Sequence, residues 1–159
     1  GMKEAVWEAV FRRIADHMPL SQLDAARFCG DPMIPLCAGI GMGYGNRGRR
    51  LVLAGGTQML AVAALMKSLS IPLPMIATTV YVRDDPSANF SEVANRIGVP
   101  VAYVDPGFGD LGHAGLARYC IGEVKEGMGA GGAMFLAAIM GHSPHDIRKK
   151  ILGTVSSYQ

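Results

Sequence analysis

Residues 49–69 read RRLVLAGGTQMLAVAALMKSL, and the way this stretch divides decides the fold. Leu51 to Ala54 is a short apolar run, Gly55, Gly56 and Thr57 form a turn, and the remainder to Leu69 is a longer apolar segment rich in helix formers. A brief apolar run stopped by glycine reads as a buried strand, and the longer segment as a helix. The same unit recurs downstream. PMIATTVYV (74–82) reads as a second strand, FSEVANRIG (90–98) as a capped helix and VPVAYVD (99–105) as a third strand, with two or three helices filling the rest. Strands that are continuously apolar and alternate with helices predict a parallel sheet covered on both faces, a three-layer, Rossmann-like α/β domain.

Upstream, residues 4–17 place Val6, Val10, Phe11 and Ile14 on one side and Glu8, Arg12, Arg13 and Asp16 on the other. That period predicts an amphipathic helix ending near Pro19, after which Ser21 can cap a short second helix. GDPMIPLCAGIGMGYG (30–45) opens with Asp31 as a cap and Pro32 at the first helical position, and predicts a buried helix to about Tyr44. There is no internal repeat and no linker long or polar enough to divide the chain. With 159 residues, 50% of them hydrophobic, a single domain over 1–159 is expected.

The charge balance, 15 basic against 13 acidic residues with no basic block, argues against nucleic acid and anionic membranes and for small molecules or other proteins as partners. Cys29, Cys37 and Cys120 lack C-x-x-C spacing and lie in apolar surroundings, so they read as core thiols of a reducing compartment. No apolar stretch of about 18 residues and no signal peptide is present, and a soluble, cytoplasmic protein is expected. Gly1 ahead of Met2 has the look of an expression scar.

Glycine is the abnormal count: 21 of 159 residues, against a usual share of about 7%. In an open parallel sheet, ligands bind beyond the carboxyl ends of the strands. That rule selects three loops: Gly55 to Thr57, RDDPSAN (83–89) and DPGFGDLGH (105–113). Gly55, Gly56 and Thr57 can present backbone amides and a hydroxyl to a phosphate or carboxylate, or can simply cap a helix at a tight turn. Asp84 and Asp85 could hold a ribose or a metal, but Asp-Asp-Pro-Ser reads more readily as an ordinary turn. No His or Cys stands near them at ligand spacing, so no bound metal is expected.

G-x-G-x-x-G occurs three times, at Gly43, Gly45, Gly48, at Gly107, Gly109, Gly112 and at Gly127, Gly129, Gly132. Only the second follows a strand, and it comes late in the chain, so a nicotinamide or flavin cofactor is not expected. A Walker loop and a Gly-x-Ser-x-Gly elbow are absent, and His17, His113, His142 and His145 show no triad spacing. His113, at a loop end, reads as a satisfied loop histidine or a reagent.

VKEGMGAGGAMF (124–135) sets one carboxylate, Glu126, before a glycine-rich turn and an apolar run. As a helix cap its pKa would fall and it would be a poor base; in a closed apolar pocket beside an aromatic ring desolvation would raise it toward neutrality. Residue chemistry alone leaves both roles open.

LVLAGGTQMLAVAALM (51–66), followed farther along by EVKEGMGAGGAMFLAAIMG (123–141) and preceded by FCGDPMIPLCAGIGMG (28–43), resembles the carboxyl-terminal half of nicotinate-nucleotide:dimethylbenzimidazole phosphoribosyltransferase, in its archaeal-type branch. The family's Gly-Glu-Gly-x-Gly-Ala motif, whose glutamate is the general base, matches Glu126, Gly127, Gly129 and Ala130, with Lys125 in place of the first glycine. The resemblance implies phosphoribosyl transfer from nicotinate mononucleotide to dimethylbenzimidazole, without a cofactor. Glu126 takes the proton of the attacking base, and Gly30, Asp31, Gly55, Gly56, Thr57, Gly127 and Gly129 help to hold substrate. Family members are about twice this length and homodimeric. The chain is therefore expected to be half of an active site, weak or inactive alone, and a homo-oligomer or the partner of a separate chain supplying the other half. A non-catalytic nucleotide-binding module and a purely structural fragment are the rival expectations.

Overall fold

The computed structural model describes residues 2–123 and 129–158. The chain divides into two compact units, one formed by Gly1–Arg50 with Ala61–Leu73 and the other by Leu51–Leu60 with Pro74–Gln159.

The first unit is helical. Helix α1 (Met2–Ile14) runs into a 3-10 turn (Ala15–His17), and α2 (Gln22–Cys29) and α3 (Met33–Gly45) follow. Ser21 starts α2 as expected, since its hydroxyl accepts the Asp24 N–H at 3.1 Å and donates to the Asp24 carboxylate at 2.6 Å. Asp31 caps α3 by accepting the Met33 N–H at 2.8 Å. The apolar side expected of α1 is only partly used: Ile14 is buried, whereas Val6 and Phe11 are exposed, and Trp7 stacks on Phe11 at 5.6 Å. Helix α3 also departs from the buried helix expected. It is apolar all round, but only Ala38 and Gly41 are buried, and Leu36, Ile40, Met42 and Tyr44 remain exposed.

The second unit holds the sheet. Strands β1 (Val52–Ala54), β2 (Met75–Thr79) and β3 (Val101–Val104) pair in the order β1-β2-β3, all parallel. Helix α4 (Thr57–Ser68) begins directly after the first turn, with its residues from Ala61 onward counted in the first unit; α5 (Val80–Arg83), α6 (Phe90–Ile97), α7 (Ala114–Ala117), α8 (Ala130–Ile139) and α9 (Pro144–Ser156) complete the described elements. This is the small Rossmann-like α/β arrangement that the apolar alternation predicts, a parallel sheet flanked by helices. Leu53, Ile76, Ala77, Phe90, Val99 and Met134 form its core.

Two features depart from the sequence reading. Val80–Val82, read as the end of the second strand, turn into α5. Register explains this: Ala54 pairs with Ala77 and Val104 with Thr79, so neither neighbouring strand offers a partner beyond Thr79, and valine's strand propensity has nothing to pair with. The glycine-rich stretch before Met134 is not wholly a turn either, because Gly131 and Gly132 lie inside α8, buried against the sheet. A Cβ on Gly131 would lie 2.6 Å from the Thr78 Cα, and one on Gly132 would lie 2.9 Å from the Ala54 Cα. These glycines serve close helix–sheet approach.

Candidate functional site

A cleft of about 730 Å³ opens where β1 and β2 end, within the usual range of small-molecule sites. Its walls come from Gly56 and Thr57 at the start of α4, from Tyr81 on α5, from the turn at Asp84 to Ala88, and from Tyr119 to Gly122. The position is the one the strand-end rule selects, and two of the three expected loops meet there. The third, after β3, packs behind it through Phe108. A second concavity, of about 570 Å³, is lined by Asp146, Lys149, Lys150, Gly153, Thr154 and Ser157, on α9 and at its end, and among the described residues no second element encloses it.

Tyr81 organises the cleft. Its ring lies 5.9 Å from Phe108 and 6.4 Å from Tyr119, and Phe108 meets Tyr119 edge-on at 5.2 Å. Its hydroxyl accepts the Phe108 N–H at 3.0 Å and the Cys120 S–H at 3.6 Å. The phenol pKa is pushed up to about 12, first by burial, against the opposing pull of the Phe108 N–H.

The start of α4 is more selective than three open amides. The Gly55 N–H is turned back to the Ala77 carbonyl at 3.3 Å, and a Cβ there would crowd the Met59 side chain at 2.8 Å. Gly55 therefore supports the turn, and Gly56 and Thr57 face the cleft. Helix α4, 12 residues long, adds the positive end of its dipole at that point.

The acidic pair follows the turn reading. Arg83 grips Asp84 with two hydrogen bonds of 2.7 and 2.9 Å, which hold the Asp84 carboxyl below its ordinary pKa. Asp85 accepts the Ser87 N–H at 2.9 Å and its hydroxyl at 2.7 Å. Among the described residues no group of three or more His, Cys, Asp or Glu side chains could hold a metal. His113 caps α7 by accepting the Leu116 N–H at 3.3 Å. The loop after β3 is pinned from α9: Arg148 donates to the Pro106 carbonyl at 3.1 Å and the Asp105 carbonyl at 3.3 Å.

Gly30 and Asp31 belong to the first unit, where Gly30 closes α2 through the Ala26 carbonyl and Asp31 opens α3. Gly129 is the cap residue of α8. Glu126 and Gly127 lie outside the described residues. One reading needs correction: Cys120, expected in the core, is exposed and lines the cleft, and Cys37 is only half-buried. Cys120 sits in the turns after a four-residue helix, where no described element covers it. Tyr81 and Tyr119 were not foreseen as site residues, Tyr81 because VYV has the alternation of a strand.

No family model matches the chain. It is 49% identical over 125 residues to a UPF0284 protein of Methanosarcina mazei, covering 77% of this chain and 36% of that protein. It is 44% identical over 155 residues to a UPF0284 protein of Thermococcus gammatolerans, covering 94% of this chain and 46% of the relative. A UPF0284 protein of Pyrococcus abyssi is 46% identical over 131 residues, 81% of this chain and 38% of that one. The chain thus spans less than half the length of these archaeal relatives. Among the described residues, no helix is long and apolar enough to cross a membrane.

Proposed function

Starting from this similarity to part of longer archaeal UPF0284 proteins, we propose that the chain forms part of a phosphoribosyltransferase site, transferring the phosphoribosyl group of nicotinate mononucleotide to dimethylbenzimidazole. The observation that supports this reading most is the cleft itself. It joins the positive end of α4, with Gly56 and Thr57, to an aromatic wall of Tyr81 and Tyr119. A ribotide whose base is a flat ring needs that pair of features, an anion seat and a stacking surface.

In the proposed reaction one benzimidazole nitrogen attacks the anomeric carbon, and its bond forms as the bond to nicotinate breaks. The pyridinium leaves as a neutral ring nitrogen and needs no acid. The second benzimidazole nitrogen becomes acidic as the first bonds, and its proton passes to a carboxylate. That role falls to Glu126, the residue matching the motif base, which stands three positions after Glu123 in sequence. The cleft supplies positioning, and the phosphate seat fixes the donor while the rings align the acceptor. The longer relatives support a further part of the proposal, that another segment or chain completes the pocket.

Calorimetric titration of nicotinate mononucleotide, repeated with dimethylbenzimidazole present, tests the reading. Binding that the base strengthens is expected. Turnover, measured with the chain alone and in the length of its relatives, should fall about 10²- to 10⁴-fold in Glu126→Gln while nucleotide binding persists. No heat with either ligand sinks the transferase reading, and turnover unaffected by Glu126→Gln removes the assigned base.

A further inference from the structure

We infer that Tyr81 is a positioning residue: its hydroxyl fixes the Tyr119–Gly122 wall of the cleft to the loop leaving β3, and thereby sets the width at which the cleft grips a flat ring. The inference rests on the reading of the cleft as a ligand site, and adds to it the residue that holds its shape.

The Tyr119–Gly122 wall is a turn held mainly by its own local backbone. It follows a helix of only four residues, Ile121 is 69% exposed, and Gly122 takes the left-handed conformation at φ +73°. Its backbone is held within its own turn, by the Tyr119 N–H on the Leu116 carbonyl and the Cys120 N–H on the Ala117 carbonyl; among the described residues, the side-chain contacts that tie it to the rest of the sheet unit come from Tyr81 and the β3 loop. The Cys120 thiol donates to the Tyr81 hydroxyl, and the same sulfur lies against the β3 loop, where a Cβ at Gly109 would be 3.1 Å away. Tyr119 packs on the rings of Phe108 and Tyr81. Ring packing is attractive but allows sliding, whereas hydrogen bonds have direction. The Tyr81 oxygen is the atom on which a directional contact from each segment converges, the Phe108 N–H from the β3 loop and the Cys120 S–H from the wall. Tyr81 leaves directly from the end of β2 through α5, so the wall takes its reference from the central strand of the sheet.

Tyr81→Phe keeps the ring and removes only the oxygen. Amide hydrogen exchange should then accelerate about tenfold at Phe108 and in residues 119–123, the scale of one lost net hydrogen bond, while β2 and β3 exchange as before. In parallel, the affinities for nicotinate mononucleotide and for dimethylbenzimidazole should fall about fivefold to tenfold in Tyr81→Phe and in Cys120→Ala. Cys120→Ser, which restores a donor, should recover most of that loss. The double variant Tyr81→Phe with Cys120→Ala should bind no more weakly than Tyr81→Phe alone. Unchanged exchange in a folded Tyr81→Phe protein overturns the link. Faster exchange with unchanged affinity overturns its role in ligand grip. If the wild type binds neither probe, the transferase reading fails separately, and exchange alone decides whether Tyr81 fixes the wall. Should Tyr81→Phe not fold, exchange in Cys120→Ala against Cys120→Ser decides it, and equal rates in those two variants refute the link.

Discussion

Gly131 on α8 lies against the backbone of Thr78 on β2, so close that a Cβ at position 131 would stand 2.6 Å from the Thr78 Cα. Two effects oppose each other there. Alanine is the better helix former by about 1 kcal/mol, but a methyl pressed into strand backbone has no flexible neighbour to displace. Overpacking of this kind costs about 1–3 kcal/mol and more where backbone must move, so steric cost wins. Gly131→Ala and Gly132→Ala should each lower stability by about 3 kcal/mol in urea unfolding. The control is Gly153 on α9, where an added Cβ meets nothing within 4 Å; Gly153→Ala should stabilise by about 0.5–1 kcal/mol. A neutral Gly131→Ala would show that α8 can lift away from the sheet.

Arg148 should prove to be a structural clamp. It reaches from α9 to the Asp105 and Pro106 carbonyls and stands 3.9 Å from the Asp105 carboxylate. Gly107 below it has φ +62°, and a Cβ there would lie 2.6 Å from the Arg148 Nε. Arg148→Ala is expected to cost about 1–2 kcal/mol by freeing two carbonyl partners. Arg148→Lys should recover little, since one ammonium cannot reproduce the fork. Thermal unfolding of the two variants measures this, and a wild-type midpoint in Arg148→Lys would show that charge alone suffices.

These contacts explain what the sequence does and does not disclose. The strands at Leu53, Ile76 and Val101 are legible because their apolar runs are short, bounded by glycine or proline on at least one side, and separated by helix-length segments. The caps at Ser21 and Asp31 are legible because capping is chemistry between near neighbours. The glycines of α8 were not, since glycine that permits a turn and glycine that permits close packing look alike until the opposing strand is in place. Nor was the amide of Gly55, whose partner Ala77 lies 22 positions along the chain. Tyr81 was hidden by propensity: VYV has strand character, and only the lengths of the neighbouring strands turn it into a helix beside the cleft. The strand-end rule selects the edge of the sheet at which the cleft opens, because it depends on topology and not on individual side chains.

Tyr81 should be the last tyrosine to ionise through its environment. Its folded pKa of about 12 lies above the ordinary 10.0. The folded protein therefore keeps a proton that the unfolded chain releases, and stability falls as pH rises between those two values. The contribution is fully present below pH 10 and lost through pH 12. Absorbance titration at high pH should show one phenol ionising late, absent in Tyr81→Phe, and the fall in stability over that window should be smaller in the variant. A late phase that survives in Tyr81→Phe would place the shifted phenol elsewhere.

The anion seat can be tested without disturbing the helix that forms it. Thr57 is the first residue of α4, a position where proline fits because its missing N–H has no partner within the helix. Thr57→Pro therefore deletes one backbone amide at the start of α4, beside the cleft, and leaves α4 intact, whereas Thr57→Val keeps the amide and deletes the hydroxyl. Hydrogen bonds to a charged group are worth about 1.5–3 kcal/mol. Nicotinate mononucleotide should accordingly bind at least about tenfold more weakly to Thr57→Pro, and less weakly than that to Thr57→Val. Nicotinate riboside, which lacks the phosphate, should distinguish the amide variant from the wild type hardly at all. Equal losses for both ligands would mean that proline distorted the cleft, and no loss for either would move the phosphate away from the start of α4.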